Sequence, residues 1–255
     1  MNLKNLIFFF STILVILILP FVYKLPIPSD SIAGLYYPMR DVPFGYPNHV
    51  PVKNPLTTDP VRQQFAWKYL AVNQFKIGEW PLWNPYNFSG TPLLANFQSA
   101  VFYPLNLIFF TPNVYSNDPL QSFAIQWSWY IYAQIVFSFY FLYLYLRIIG
   151  LTRQASIFGG FVWAFSGFNV AWWQWGNVGH TVLWFPLMLY AVEKIINKPT
   201  VSIVDTSASR ISKLNTIISL SLPEFILLAA LTSSFLAGHL QSFMMCALNL
   251  WFYLL

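Results

Sequence analysis

Only a few side chains in this sequence could transfer a proton or bind an anion near neutral pH. The 255 residues contain three histidines, eight acidic residues and one cysteine. His180 and His239 each follow a glycine at the predicted outer end of a helix. An imidazole at a helix end could donate a hydrogen bond to a phosphate or a sugar. A lone histidine at a helix end is more often structural, so both roles stay open for this pair.

Several kinds of chemistry lack their sequence signature. There is no phosphate-binding glycine loop and no serine-nucleophile elbow, which excludes nucleotide hydrolysis and acyl transfer. The single cysteine, Cys246, cannot form an internal disulfide or a thiolate cluster. No Asp and His residues have the spacing of metal ligands, so the sequence predicts no metal site.

The composition is typical of a membrane protein. Hydrophobic residues make up 57% of the chain and charged residues only 8%, whereas a soluble domain has about 25% charged residues. The net charge is +5, but the basic residues are scattered among apolar stretches, so we expect no nucleic-acid partner. The composition therefore predicts an all-α integral membrane protein in which aromatic side chains contact membrane lipids.

The apolar stretches predict a multi-span helical bundle that forms a single membrane domain over residues 1–255. A span needs about 20 mainly apolar residues, and we interpret the first as an uncleaved anchor rather than a signal peptide. The last stretch is too short to cross a bilayer, which indicates an amino-terminal part of a longer protein or, alternatively, a re-entrant half-span. The predicted spans are residues 6–23, 125–146, 155–173, 181–196 and 217–236, with a partial span at 242–255.

The basic residues predict the orientation of these spans. Positive residues in short loops stay on the cytoplasmic side, and Lys4, the Arg147/Arg153 turn and the 194–213 loop satisfy this rule together. The long loop 24–120 is then extracytoplasmic, and so are all three histidines, including His49.

The long outer loop is rich in aromatic residues, which argues against disorder. Asp59-Pro60 is typical of a helix start, and residues 61–75 are predicted to form an amphipathic helix along the membrane surface. Asn84 and its polar neighbours lie among aromatic residues, as in a ligand pocket, although a well-packed loop would look similar. Residues 100–110 are predicted to be re-entrant or interfacial.

The order of motifs in this loop resembles bacterial YfhO-like membrane proteins. Asp59 is followed by Gln63/Gln64 and Trp67, then by GEWPLWNPYNFSGTPL at 78–93, ANFQ at 95–98 and FYPLN at 102–106. Gly179-His180 and Gly238-His239-Leu240-Gln241 also match recurring elements of that group. The resemblance covers most of the chain from Asp30 onward.

The family is similar to GT-C glycosyltransferases, and the resemblance implies a fold of that type. Such enzymes take a sugar from a polyprenyl-phosphate donor on the outer side of the membrane, here for an envelope lipid or polymer acceptor. An acidic residue in the first outer loop is catalytic in that class, which indicates Asp59, with Asp30 as the rival. One carboxylate acting as general base on the acceptor hydroxyl could suffice, because the phosphate leaving group needs little protonation.

The remaining candidates would bind the two substrates. Arg40, Arg62 and Lys68 could contact the donor phosphate, although anchoring to lipid headgroups is the simpler role for each. The side chains expected to bind sugar or phosphate through amide or imidazole groups are Asn84, Gln98, His180, His239 and Gln241. No cofactor is expected, but some enzymes of the class use a divalent cation, so the resemblance leaves room for one.

Two other functional classes compete with transfer. A transporter or lipid-handling protein would be expected to have broken helices and charges near mid-membrane in matching repeats, which this sequence lacks. A structural envelope protein without catalysis is the third class.

Overall fold

The computed structural model describes Ser11 and residues 59–112, 117–197 and 221–255. The prediction of an all-α protein is confirmed for these residues, because helices dominate and the strands form only one two-residue pair. Apart from Ser11, the first predicted span lies outside the described residues. Asp30, Arg40 and His49 lie outside them as well.

The described residues form eight α-helices, named α1 to α8 in chain order, and a short β-hairpin that lies between the first two of them. A π-helical segment, Pro60–Phe65, leads directly into α1, and 3₁₀ segments lie at Phe97–Ser99, Pro104–Phe110 and Trp173–Trp175. Strands β1 (Trp83–Asn84) and β2 (Thr91–Pro92) pair antiparallel. The helices are α1 (Ala66–Lys76), α2 (Pro119–Ile148), α3 (Arg153–Ala164), α4 (Gly167–Trp172), α5 (Val178–Val182), α6 (Phe185–Ile196), α7 (Leu222–Leu236) and α8 (Leu240–Leu254).

Helix α2 is the central element of the fold. Asp118 caps it by accepting a hydrogen bond from the Leu120 amide at 3.0 Å, and Pro119 suits the first helical position because it has no N–H to leave unpaired. The helix contains the predicted span 125–146 and is about 45 Å long at about 1.5 Å per residue. Within the described ranges, it alone is both long and apolar enough to cross a bilayer.

Two other predicted spans are each divided into consecutive helices. The stretch 155–173 breaks after α3, where the Ser166 hydroxyl caps α4 by accepting from the Asn169 amide at 3.4 Å. The stretch 181–196 breaks between α5 and α6, and Pro186 lies in the first turn of α6. The Ser166 cap and Pro186 each begin a new helix. The apolar run in the sequence therefore continues across a point at which the backbone changes direction.

The loop before α2 folds back onto α2. The Phe65 ring lies 5.5 Å from the Trp127 ring, and the Phe109 ring stacks on Phe123 at 4.6 Å. The helical segment expected along a membrane surface therefore buries one face against other helices. The second half of the predicted interfacial stretch 100–110 is a 3₁₀ segment that packs on α2 in the same way.

The opposite side of the bundle presents apolar side chains outward. Helix α3 exposes Phe158, and helix α7 exposes Phe225. Helix α8 exposes Trp251 and Phe252, each by more than 60%.

Gly160 allows α2 and α3 to pack closely against each other. A Cβ placed on Gly160 would lie 3.0 Å from the Phe139 carbonyl oxygen and 2.9 Å from its ring. We expect Gly160→Leu to push the two helices apart and to lower the free energy of unfolding by about 1–3 kcal/mol, as for other overpacked interiors. Denaturant unfolding in detergent, followed by tryptophan fluorescence, measures this loss.

Gly167→Ala is the matched control for this substitution. A Cβ at Gly167 would meet nothing within 4 Å, so this variant should unfold like the unsubstituted protein. Equal stability of the two variants would contradict the close approach at Gly160.

Candidate functional site

Asp59 lies at the start of the helical segment, but its carboxylate does not cap the helix. Its backbone has helical angles, φ −62° and ψ −37°, and its side chain accepts no hydrogen bond from the backbone amides that follow. A capping residue normally has an extended backbone, which explains why the capping interpretation is wrong. Instead the Gln63 amide nitrogen donates to Asp59 Oδ1 at 3.4 Å, and the carboxylate is half-buried.

Two glutamines connect this start of the helix to the segment that carries Gln98. The buried Gln64 donates from Nε2 to Gln98 Oε1 at 3.4 Å. Asn96 holds the Gln98 turn by accepting from the Gln98 backbone amide at 3.2 Å. The structure therefore places Asp59, the predicted catalytic base, and Gln98, a predicted substrate contact, on neighbouring segments.

The Gly238-His239 turn between α7 and α8 packs against the same segment. Gly238 has φ +92°, and a Cβ there would lie 3.0 Å from the Phe97 carbonyl oxygen and 2.9 Å from Ala100 Cβ. Only glycine accepts both the backbone angle and the contact without strain. The turn therefore lies against the Phe97–Ala100 segment, which carries Gln98, and His239 and the exposed Gln241 follow directly in sequence. Gln64 connects the same segment to the helical turn that follows Asp59. We use the name polar edge for Asp59, Gln98, His239 and Gln241, which these contacts bring onto neighbouring segments.

His239 uses one ring nitrogen to begin α8. Its Nδ1 accepts from the Ser242 backbone amide at 3.2 Å and lies 2.8 Å from the Ser242 hydroxyl. Nε2 makes no hydrogen bond to any residue that the structure describes, so it remains available to a ligand. Partial burial lowers the pKa of His239 from its usual value, which favours the neutral imidazole.

Lys68 is inside the protein and not at the surface where a donor phosphate was expected to meet it. Its Nζ donates to Asn106 Oδ1 at 3.0 Å and to the Ser99 carbonyl at 3.4 Å, and it lies 5.3 Å from the centre of the Tyr130 ring. Burial lowers its pKa from 10.5 to about 7. Among the described residues no carboxylate pairs with it, and its two acceptors there are the neutral Asn106 amide and Ser99 carbonyl.

His180 is also fully buried, whereas the sequence indicated an outer helix edge. Its ring stacks on Tyr130 at 3.8 Å, its Nδ1 lies 3.0 Å from the Tyr103 hydroxyl, and its Nε2 lies 3.1 Å from the Tyr130 carbonyl oxygen. Burial first, and the nearby Lys68 ammonium second, lower the pKa of His180 well below its usual value. Both ring nitrogens are occupied, so in this arrangement a sugar or phosphate has no access to them.

Sequence reasoning missed three aromatic residues of this buried network. Tyr103 accepts a hydrogen bond from Trp184 Nε1 at 3.1 Å, and the Tyr130 hydroxyl donates to the Gly176 carbonyl at 2.9 Å. Tyr103 belongs to the FYPLN motif, which could have singled it out. Tyr130 and Trp184 lie in apolar stretches rich in aromatics, where no local signal distinguishes them.

The other predicted contacts are distributed over the loop. Arg62 is exposed on the helical turn after Asp59. Asn84 is buried in the hairpin, where its Oδ1 accepts from the Tyr86 amide at 2.9 Å. In the part of the chain that the structure describes, no three His, Cys, Asp or Glu side chains converge as metal ligands would.

Comparison with protein-family models, with curated proteins and with solved structures gives no match for this chain. The described residues form an all-α protein in which the helical turn after Asp59 and the Gly238-His239 turn both contact the segment of Gln98. The likeness to YfhO-like proteins stays an expectation from the sequence.

The buried lysine predicts a pH dependence of stability. Between about pH 7 and pH 9 the unfolded chain keeps the Lys68 proton, whereas the folded protein releases it, because its pKa is lowered to about 7. The unfolded state then binds more protons, so the free energy of unfolding should rise with pH by up to about 1.4 kcal/mol per unit. Below this window both states are protonated and Lys68 contributes no slope.

Two methionine variants isolate the contribution of Lys68 to the slope of the free energy of unfolding against pH, measured across the same pH range. Lys68→Met should abolish the slope, whereas Lys76→Met, at an exposed lysine in the last turn of α1, should keep it. An unchanged slope in Lys68→Met would assign the pH dependence to another group.

Proposed function

We propose that this protein is a membrane glycosyltransferase of GT-C type. It would transfer a sugar from a polyprenyl-phosphate donor to an envelope lipid or polymer on the extracytoplasmic face. The observation that carries the proposal is the half-buried Asp59 carboxylate of the polar edge, which accepts a hydrogen bond from the Gln63 amide. The motif resemblance supplies the reaction class, and the arrangement around Asp59 supports its role.

Exposed apolar side chains support the membrane part of the proposal. Phe225, Trp251 and Phe252 are each more than half exposed on α7 and α8. Soluble monomers rarely expose contiguous apolar patches larger than a few hundred Å². Lipid tails would cover these faces, and the divided helices would lie in the bilayer beside α2 as parts of a multi-span bundle.

The surroundings of Asp59 suit a general base. The Gln63 amide donates to Oδ1, which orients the carboxylate and leaves Oδ2 for the hydroxyl proton of an acceptor. The acceptor oxygen would then attack the anomeric carbon as the bond to the donor phosphate breaks, which inverts the configuration. A positioned base of this kind contributes about 10²–10⁴-fold to a rate.

The donor phosphate would meet surface groups of the same edge. Arg62 is exposed next to Asp59, and His239 has Nε2 available. Gln98 and Gln241 would donate to sugar hydroxyls. Arg40 stays a candidate for the phosphate, and Asp30 stays the rival base.

A lipid-handling protein is the second candidate function, and one observation favours it. A groove of about 550 Å³ lies between α2 and α3, and its lining is almost entirely apolar. Leu142, Phe158 and Val162 are among its wall residues. Such a groove suits an acyl or prenyl chain, which either function would need.

Substitution of Asp59 tests the transfer reaction. Membranes that contain the protein are given a radiolabelled polyprenyl-phosphate sugar, and label in envelope lipid and polymer is counted. Asp59→Asn should lower transfer at least about 100-fold, because an amide cannot accept the proton, while membrane insertion stays normal.

Glu79→Gln is the matched control, because Glu79 is an exposed acid in the same loop. This variant should transfer normally. Full transfer by Asp59→Asn with loss in Asp30→Asn would move the base to Asp30. No transfer from any donor would favour lipid handling.

A further inference from the structure

A second cavity of the loop lies between α1 and the β1–β2 hairpin. It has a volume of about 630 Å³, within the range of about 300–1,000 Å³ that is typical of small-molecule sites. It begins at residues 66 and 67 of α1 and extends to Ile77. Trp67 is about 12 Å further along a helix than Asp59 at about 1.5 Å per residue, so this groove is separate from the proposed base.

The lining of the groove has many amides and no charge. Asn73 and Gln74 come from α1, and Asn84 and Asn87 come from the hairpin. Among the residues that the structure describes, no lysine, arginine, aspartate or glutamate lines it. The Asn73 and Asn87 amides form no hydrogen bond with other described residues, so they can both donate to and accept from a ligand.

Aromatic rings form the apolar part of the wall. Tyr86 extends from the hairpin and is 82% exposed, and Trp67 is half-buried on α1. Flat, amphipathic rings of this kind offer contact area with little conformational freedom to lose. They suit a ligand that has apolar C–H faces as well as polar groups.

Backbone and side-chain contacts form the groove before any ligand binds. Gln74 Nε2 donates to the Trp83 carbonyl at 3.1 Å, which fastens the hairpin to α1. The Trp83 indole packs on Gly90, where a Cβ would lie 2.5 Å from the ring, and the Leu93 amide donates to the Leu82 carbonyl at 2.9 Å. A preformed site loses less entropy on binding.

We propose that this groove binds a neutral oligosaccharide. Sugar hydroxyls both donate and accept, as carboxamides do, and the C–H faces of sugar rings pack on aromatic side chains. The absence of charged lining residues matches an uncharged ligand, whereas a lipid phosphate headgroup would need cationic donors. The inference goes beyond sugar transfer, since a glycan can bind here whether or not Asp59 is a catalytic base.

The test measures glycan binding directly. The protein in zwitterionic-lipid nanodiscs is titrated with neutral trisaccharides built from hexoses or N-acetylhexosamines, and saturation-transfer NMR reports binding. At least one trisaccharide should bind saturably. Tyr86→Ala and Asn87→Ala should each raise its Kd about tenfold, because each removes one contact from a preformed site.

Phe88→Ala is the matched control, because Phe88 is 94% exposed in the same hairpin and does not line the groove. It should bind like the unsubstituted protein. Equal weakening by Phe88→Ala and Tyr86→Ala would overturn the proposal, as would no saturable binding by any trisaccharide.

The Asp59→Asn variant separates this proposal from sugar transfer. Its trisaccharide Kd should be unchanged. Sugar transfer without saccharide binding at the groove would refute only the proposed saccharide site. Saccharide binding without transfer from any donor would refute only the proposed transferase function.

Discussion

The contact of the Lys68 ammonium with Asn106 and the Ser99 carbonyl is the constraint on which the loop before α2 depends. A buried amino group needs hydrogen-bond acceptors whether or not it is protonated, because an unpaired buried polar group costs free energy. Lys68 is on α1, whereas its acceptors lie in the segment between the hairpin and α2. Asn106 in turn donates to the Ala100 carbonyl at 2.6 Å. This chain of bonds holds α1 and the segment of Gln98 in one unit.

The aromatic interior completes that unit. The Tyr130 ring of α2 lies within 5.3 Å of the Lys68 ammonium and stacks on His180 of α5. The cation is attracted to the ring, and the imidazole fills the adjacent space while Tyr103 and the Tyr130 carbonyl satisfy its nitrogens. Three stretches far apart in the chain therefore meet at one ring. The amide groove depends on this arrangement, because α1 forms one of its walls.

Local sequence signals predicted the elements well. The apolar run at 125–146 lies within α2, and helices occupy the described parts of the apolar runs after it. The breaks after Ala164 and before Phe185 were missed, because the run stays apolar while Ser166 and Pro186 begin new helices. At the site, the Gly238 turn packs on the segment of Gln98 and Gln63 contacts Asp59, but Lys68 and His180 are interior. A basic or imidazole side chain in an aromatic stretch has the same local pattern whether it faces outward or inward.

Composition and periodicity by themselves established an all-α chain with too few charges for an ordinary soluble surface, because these are properties of residue types and their spacing. Which polar groups are buried was decided only by the tertiary structure. Lys68 and His180 are in the interior because Asn106, Ser99 and Tyr103, distant in sequence, supply their acceptors and contacts. The amide groove likewise exists only because the hairpin folds onto α1. Burial of a polar group depends on partners that no local window of sequence contains.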